Sequence, residues 1–414
     1  MEKVIIIIDI KSFFASCECV RLGLDPYAYP LVVANPYQGN GAMTLAVTPY
    51  LKKMGVKSRS RLFEIPKNIK YKIVPPRLGY YEEMSKKVIT IFLKYVSIED
   101  IHIYSIDESF IDITPYLKLY QNTPYNIAKM IMNDITNSLH LTSSCGIGPN
   151  MFLAKIAMDI YAKEGINAIA ILDYPDIKTK LWSIKPLSKI WGIGFNIESS
   201  LNKMGIYDLE TLANTNPVKL KNKFGEYGVI LWKRAHGIDE ATIKDYNKMP
   251  KSKSYSHSQV LLKDYNKDNV KLIIEEMLET LIKKLVKNDE TTSLIGLGIG
   301  YSKNFKEGFY HQTKVDATSN KKILLTNLYQ IFNNFDRNLP IRKVTITFSH
   351  ISKHTFQQLN LFSDLDNEIK DTNITKAILN IEDMYGVNSI LKASSLLDSS
   401  TIRYQNNKHS DYSS

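Results

Sequence analysis

The sequence predicts an α+β multidomain protein, and three observations carry that expectation. Its 414 residues exceed what a single compact core uses at roughly 100–200 residues per domain, so three or four units are expected. Strand and helix patterns alternate from the start of the chain to about residue 173. Past a polar, lysine-rich stretch at 241–257, which reads as a linker, the order becomes strand, helix, strand, strand, helix, strand, the pattern of an independent α+β domain over 258–350.

Apolar residues make up 44% and charged residues 23%, the balance of a globular chain rather than a disordered or membrane-embedded one. The net charge of +11 favours a polyanionic partner, because Lys and Arg displace condensed counterions from nucleic-acid phosphates. A well-solvated basic surface is the plain alternative. Cys17, Cys19 and Cys145 are too few for a disulfide framework, and Cys17-x-Cys19 lacks the second ligand pair of a zinc site. A reduced, cytoplasmic compartment is therefore expected. The early apolar run is too short for a signal peptide or a membrane span, so no membrane partner is expected.

That run, Val4 to Ile8, is a β-branched stretch of strand length, the pattern of a central strand covered on both faces, with Asp9 at its carboxyl end. Ser12 offers an N-cap for a helix that follows through Val20. Strands are expected at Leu31 to Ala34 and Ala42 to Val47, then a short helix ending at Gly55. Met84, Val88, Ile91, Phe92 and Tyr95 have helical spacing within a helix expected over Tyr80 to Tyr95. Ile101 to Ile106 and Ser109 to Ile113 read as two strands separated by Asp107-Glu108. A two-residue hairpin loop wants Asn-Gly or Gly-X, so an acidic pair there points to strain kept for function, or else to a longer loop. A helix over Asn126 to Leu139, a strand over Ser143 to Ile147 and a helix over Asn150 to Ala162 follow. Residues 174–240 read as a smaller helical unit centred on Lys189-Ile-Trp-Gly-Ile-Gly194. The end, 351–414, is polar, with one short helix near Thr375 to Tyr385 and a frayed terminus after Arg403.

Asp9, Asp107 and Glu108 carry the chemistry. Phosphoryl and nucleotidyl transfer needs developing charge on attacking and leaving oxygens neutralised. Two divalent cations do this, and hard Mg²⁺ is held by a few carboxylates together with substrate phosphates. The three acids converge if their strands are neighbours; solvated turn residues are the alternative for each site alone.

Three runs, Asp9-Ile-Lys-Ser-Phe-Phe-Ala-Ser-Cys-Glu18, Tyr104-Ser-Ile-Asp-Glu-Ser-Phe-Ile-Asp112 and Gly146-Ile-Gly-Pro-Asn-Met-Phe-Leu-Ala-Lys-Ile-Ala157, resemble the signature segments of Y-family translesion DNA polymerases, most closely the UmuC branch. The resemblance spans nearly the whole chain. It implies a right-hand polymerase: palm at 1–20 and 75–173, fingers at 21–74, a helix-hairpin-helix thumb at 174–240, and a little finger at 258–350. It implies error-prone synthesis past damaged template bases, with primer-template DNA and deoxynucleoside triphosphates as substrates. It makes Asp9, Asp107 and Glu108 ligands for two Mg²⁺ ions, with the Ile10 backbone carbonyl as a further ligand. Phe14 falls where the family keeps an aromatic gate against the ribose 2′-hydroxyl; the helical pattern alone does not separate Phe13 from Phe14 as the nucleotide-facing ring.

By the same resemblance, Lys52 and Lys163 fall at positions that the family uses to hold the triphosphate, a chemically sensible place for a long cation, with solvated surface lysines as the alternative. Many relatives have a Tyr-x-x-Arg pattern where this chain has Pro49 and Lys52, and Lys acts as a point charge rather than a bidentate fork. Gly192-Ile193-Gly194 resembles the thumb's DNA-gripping hairpin, and Lys251, Lys253 and Lys303 are candidates to track duplex backbone. Gln358-Leu359-Asn-Leu361-Phe362 matches the peptide by which bacterial polymerases bind the sliding clamp, as an extended segment burying apolar side chains in a groove. A strand docked on the chain's own last domain is the alternative. Accessory proteins of the UmuD or RecA type are further candidate partners. From another class, a non-catalytic DNA- and clamp-binding protein that keeps the fold is the competing reading, and the intact acidic trio argues against it. A palm-fold nucleotide cyclase shares the metal chemistry but has no use for the extra domains.

Overall fold

The isoleucine run near the start of the chain becomes the middle strand of a five-stranded sheet. The computed structural model describes residues 3–163, 168–248, 252–305, 307–353 and 365–410. Strands β1 (Ile5–Ile10), β2 (Leu31–Ala34), β3 (Thr44–Val47), β4 (Lys72–Val74), β5 (Ile101–Ile103), β6 (Glu108–Asp112), β7 (Ser143–Gly148) and β8 (Ile169–Ile171) lie in the first of two compact units, Met1–Lys248. The main sheet has the order β5-β6-β1-β7-β8, with β1 antiparallel to β6 and β7. Successive side chains of a strand point to opposite faces. Ile6, Ile8 and Ile10 accordingly join one core, and Ile5 and Ile7 join another with Phe110.

Helices α1 (Phe13–Arg21), α2 (Pro49–Lys53), α3 (Leu78–Phe92), α4 (Tyr116–Tyr120), α5 (Pro124–Leu139) and α6 (Met151–Ile156) complete this region. α1, α3 and α5 bury Cys17, Met84, Val88, Ile131 and Ile135 against the even-numbered isoleucines. α6 covers the other face with Met151 and Ala154. Thr123 caps α5 by accepting from Asn126 N–H, and Asn150 caps α6 by accepting from Leu153 N–H at 2.9 Å. Ser12 stands at the N-cap of α1, as expected, but does not cap it. Its backbone is left-handed (φ 50°) and its hydroxyl accepts no helix N–H.

The single helix expected over Asn150 to Ala162 is instead α6 followed by a π-helical turn, Ala157–Tyr161. Gly146 and Gly148 explain how closely α6 lies on β7. A Cβ on Gly146 would stand 2.0 Å from the Ala154 carbonyl oxygen, and one on Gly148 would stand 2.6 Å from the Ala154 nitrogen. Only the missing side chains allow that approach.

Residues 21–74 contain a second, small sheet of order β3-β2-β4, with Val32, Val47, Leu51 and Leu62 in their own cluster. Helices α7 (Phe195–Asn202), α8 (Leu209–Asn214), α9 (Pro217–Phe224) and α10 (Glu226–Ala235) bury Leu201, Leu212, Leu220 and Leu231 together, as the helical reading of 174–240 anticipated. The linker expected at 241–257 is shorter. Helix α11 (Ile243–Tyr246) buries Ile243 beside Phe110, and Asn247 Nδ2 donates to the Ile101 carbonyl at 2.8 Å.

The second unit, Met249–Ser414, has the expected order: β9 (Lys253–Tyr265), α12 (Lys267–Lys287), β10 (Glu290–Tyr301), β11 (Phe309–Thr318), α13 (Lys321–Phe335) and β12 (Ile341–Lys353). Its sheet is antiparallel, order β11-β10-β12-β9, and α12 and α13 bury Ile274, Met277, Leu328 and Phe332 against Ile295, Leu297, Val344 and Ile346. The polar end is more structured than its composition suggests. Helix α14 (Leu365–Tyr385) is far longer than the short one expected, and α15 (Ile402–Ser410) occupies the expected frayed terminus. Lys283 pairs with Glu382 at 2.6 Å and Lys287 with Asp383 at 3.2 Å, which ties α14 to α12.

Candidate active site

The register of β1 against β6 places Asp9 directly opposite Glu108. Directly opposed residues share a sheet face, so these two carboxylates lie on the face covered by α6. Ile10 N–H donates to the Asp107 carbonyl at 2.9 Å, which adds one more rung and sets Asp107 beside the pair. The three acids read from separate stretches are thus brought together by β-pairing. The loop between β5 and β6 is not the strained two-residue turn considered above. It has four residues, Tyr104 to Asp107, none of positive φ among the described backbone. Ser105 Oγ donates to Asp107 Oδ1 at 2.7 Å and accepts from Glu108 N–H at 3.1 Å, so the loop satisfies itself.

Burial, reinforced by Glu108 and Asp107, pushes the Asp9 carboxyl up to about 8. Glu108 is also raised, by burial, despite Lys155. Lys155, on α6, was not singled out from the sequence. Its Nζ lies 2.7 Å from Glu108 Oε1 and 3.2 Å from Asp159 Oδ1, and its side chain is almost wholly buried. Burial opposes its charge, but Asp159 and Glu108 outweigh that and hold the ammonium above its ordinary range. The signal for it was the motif itself, because Gly146 and Gly148 let α6 approach and deliver Lys155 to the acids.

Among the described residues no three His, Cys, Asp or Glu side chains close into a ready metal cage. The residues nevertheless fit hard dications. Asp9 is buried among like charges, and Mg²⁺ binds through one or two carboxylates plus substrate phosphates rather than an all-protein cage.

Phe13 and Phe14, inseparable by pattern, are separated by burial. Phe13 is 3% exposed and lies in the core. Phe14 is only partly buried, stacked on Tyr81 with ring centroids 4.4 Å apart. Burial lowers the Lys52 ammonium, while Asp9, Lys163 and Asp107 all act on it, so Lys52 lies within electrostatic reach of two of the acids and of Lys163. Lys11, two residues past Asp9, joins them. Its Nζ donates to the Lys163 carbonyl at 3.0 Å, and its ammonium is lowered by burial, with Asp9 opposing.

Gly192 has φ +94°, and a Cβ there would meet Tyr227 Oη at 2.6 Å, so the glycine is required by the turn itself. Gly194 has open space around it. Ile193 is 3% exposed, and its N–H donates to the Ile190 carbonyl at 2.9 Å. Lys253 lies in β9, not in a linker, and its Nζ pairs with Glu290 at 2.7 Å. Lys251 and the peptide Gln358, Leu359, Leu361 and Phe362 lie outside the described residues. No described helix is long and apolar enough to cross a membrane.

Residues 8–159 match the impB/mucB/samB family and residues 252–361 match that family's C-terminal domain. The chain is 36% identical to the putative UV-damage repair protein UvrX of Bacillus subtilis (strain 168), over 97% of this chain and 95% of the relative. It is 31% identical to DNA polymerase IV 2 of the same organism, over 95% of each. To DNA polymerase IV of Clostridium kluyveri it is 30% identical, over 97% of this chain and all of the relative (100%). With both family segments present in order and these relatives aligned nearly end to end, the chain belongs to the impB/mucB/samB family, the UmuC-like branch of the Y-family polymerases.

Proposed function

We propose that this chain is a DNA-directed DNA polymerase that performs error-prone translesion synthesis on damaged primer-template DNA by two-metal nucleotidyl transfer. The observation that carries the reading is the cross-strand pairing of Asp9 with Glu108, with Asp107 beside them and lysines close by. Asp9, Asp107 and Glu108, with the Ile10 carbonyl, would hold two Mg²⁺ ions. When bound, these supply positive charge for the developing charge on the attacking and leaving oxygens. Lys52, Lys163 and Lys11 take up the triphosphate, each as a point charge. Lys155 keeps Glu108 oriented from behind, and Phe14 lies under the sugar and excludes the 2′-hydroxyl.

Residues 1–20 with 75–173, 21–74, 174–240 and 258–350 are read as palm, fingers, thumb and little finger. The Gly192 to Gly194 turn grips phosphate, Gly194 being the position with room for it. Gln358 to Phe362 recruits a bacterial sliding clamp. A role in DNA repair within the SOS response, with UmuD- or RecA-type accessory proteins, completes the reading; of this, the relatives named for UV-damage repair and DNA polymerase IV support the part in repair synthesis. The test is primer extension with Mg²⁺ by the Asp107→Ala variant. Extension is expected to disappear while primer-template affinity in a gel-shift titration stays within about threefold of wild type. Extension that survives removes Asp107 from the site.

A further inference from the structure

Beneath Phe14 lies a group of polar residues that the transfer reaction does not use. Phe14 and Glu18 are one helical turn apart on α1 and so share a face. Tyr81 on α3 spans both of them. Its ring stacks on Phe14 with planes 14° apart, and its hydroxyl donates to Glu18 Oε1 at 2.9 Å. Tyr81 and Glu18 are each 0% exposed. The second Glu18 oxygen accepts from Arg77 at 2.6 Å and from Arg21 at 3.0 Å. Both oxygens of a fully buried carboxylate are therefore committed, one to the phenol and the other to two guanidinium groups.

A buried ion pair seldom adds net stability over apolar residues of similar volume, and its best-attested use is to fix one geometry. Here the geometry fixed is the position of the Tyr81 side chain, held at its hydroxyl end. Tyr81 Oη is anchored to a group that cannot move without leaving charge unpaired, so the far end of the side chain cannot swing away, and Phe14 rests against its ring. Excluding a single hydroxyl depends on ring position to within about 1 Å.

We propose that Glu18, acting through Tyr81, is a positioning residue for sugar selection. The Glu18–Arg77 pair locks Tyr81, and Tyr81 backs Phe14 at the height that admits a deoxyribose and rejects a ribose. The inference rests on the reading of Phe14 as the sugar gate and extends it to residues that never touch the nucleotide.

The experiment compares kcat/KM for dATP and ATP opposite template thymine in the full-length enzyme and in the Tyr81→Phe, Glu18→Gln and Phe14→Ala variants. Tyr81→Phe keeps the ring and removes only its anchor, so it tests the idea even if Glu18→Gln fails to fold. Both anchor variants are expected to lower the dATP/ATP ratio about five- to tenfold, through a rise in the ATP value; general loosening of the fold would lower both values together. In the Phe14→Ala background, Tyr81→Phe is expected to add nothing, because the two act as a unit. If Phe14→Ala collapses the ratio while both anchor variants stay within about twofold of wild type, Glu18 has no part in selection. A ratio unchanged in Phe14→Ala removes the gate itself, and this inference with it.

Discussion

At the residue scale the site is defined by charges that burial makes expensive, and their two kinds of environment give opposite expectations. Asp9 has like charges for neighbours, and its carboxyl, ordinarily ionising near 3.8, is pushed up to about 8 by burial and those neighbours. Between these two pH values the folded protein holds a proton that the unfolded chain has released. Stability from this site therefore falls as pH rises through that window and levels off above about 8. Asp9→Asn removes the penalty. In EDTA at pH 8 the variant is expected to melt a few degrees higher than wild type, on the order of 1–2 kcal/mol for a unit of this size, with the advantage shrinking toward pH 4. Calorimetry across that range checks it, and a variant that melts lower at pH 8 contradicts the electrostatic account. Lys155 is the reverse case, because removing it leaves Glu108 and Asp159 without their cation. Lys155→Met is expected to cost about 3 kcal/mol in EDTA, part of which Mg²⁺ restores, as urea titrations with and without the metal would show. The acidic trio was legible because Asp9 ends a β-branched run and Asp107-Glu108 interrupts a strand pair. Lys155 and Lys11 were not singled out, since a lysine inside a motif looks like any helical or turn lysine until packing shows what it touches.

At the element scale, strands were read more faithfully than their connections. Uninterrupted buried apolar runs mark β1 and β2 plainly, whereas Tyr104 to Ile106 look like strand by composition and belong to a loop. Ser105 explains the difference. Its hydroxyl bonds both Asp107 and the Glu108 N–H, so a local side-chain interaction competes with the ladder and shortens both strands. The sequence after Asn150 reads as one continuous helix because apolar spacing tolerates the π-helical turn at Ala157–Tyr161. What decides the placement of α6 is the pair of glycines in β7, and this makes a sharp test. With the Ala154 carbonyl oxygen 2.0 Å and the Met158 nitrogen 2.5 Å from a Cβ at position 146, both backbone atoms, Gly146→Ala cannot be absorbed by a rotamer change. The helix must move off the strand and take Lys155 with it. A loss of about 2–3 kcal/mol in chemical unfolding is expected, together with loss of primer extension. Full activity at wild-type stability would show that α6 has freedom the packing denies.

At the scale of the whole molecule, the alternation of elements in the second unit was legible because each strand and helix carries its own periodicity. Its C-terminal elements were not, because polar contacts, which leave no apolar signature, join Leu379 in holding them. Glu276 on α12 is buried, and Ser400 and Thr401 donate to it; Thr401 Oγ1 also accepts from Gln259 Nε2 at 2.8 Å, reaching β9. Lys392 pairs with Glu279 on the same helix. The residues after Tyr385 therefore close over α12, cover the Glu276 carboxylate and supply its donors. Ending the chain at Tyr385 is expected to cost the second unit about 2–3 kcal/mol, since several hydrogen bonds to Glu276 and Gln259 and the Lys392 pair with Glu279 are lost together. Hydrogen exchange separates this from a general loss of stability. Amides of α12 and β9 are expected to exchange faster in the truncated protein, while those of β1 and α5, in the other unit with its own core, keep their protection. Equal acceleration in β1 would mean that the two units unfold as one, and that the contacts of Ser400 and Thr401 stabilise the whole chain rather than the unit that contains them.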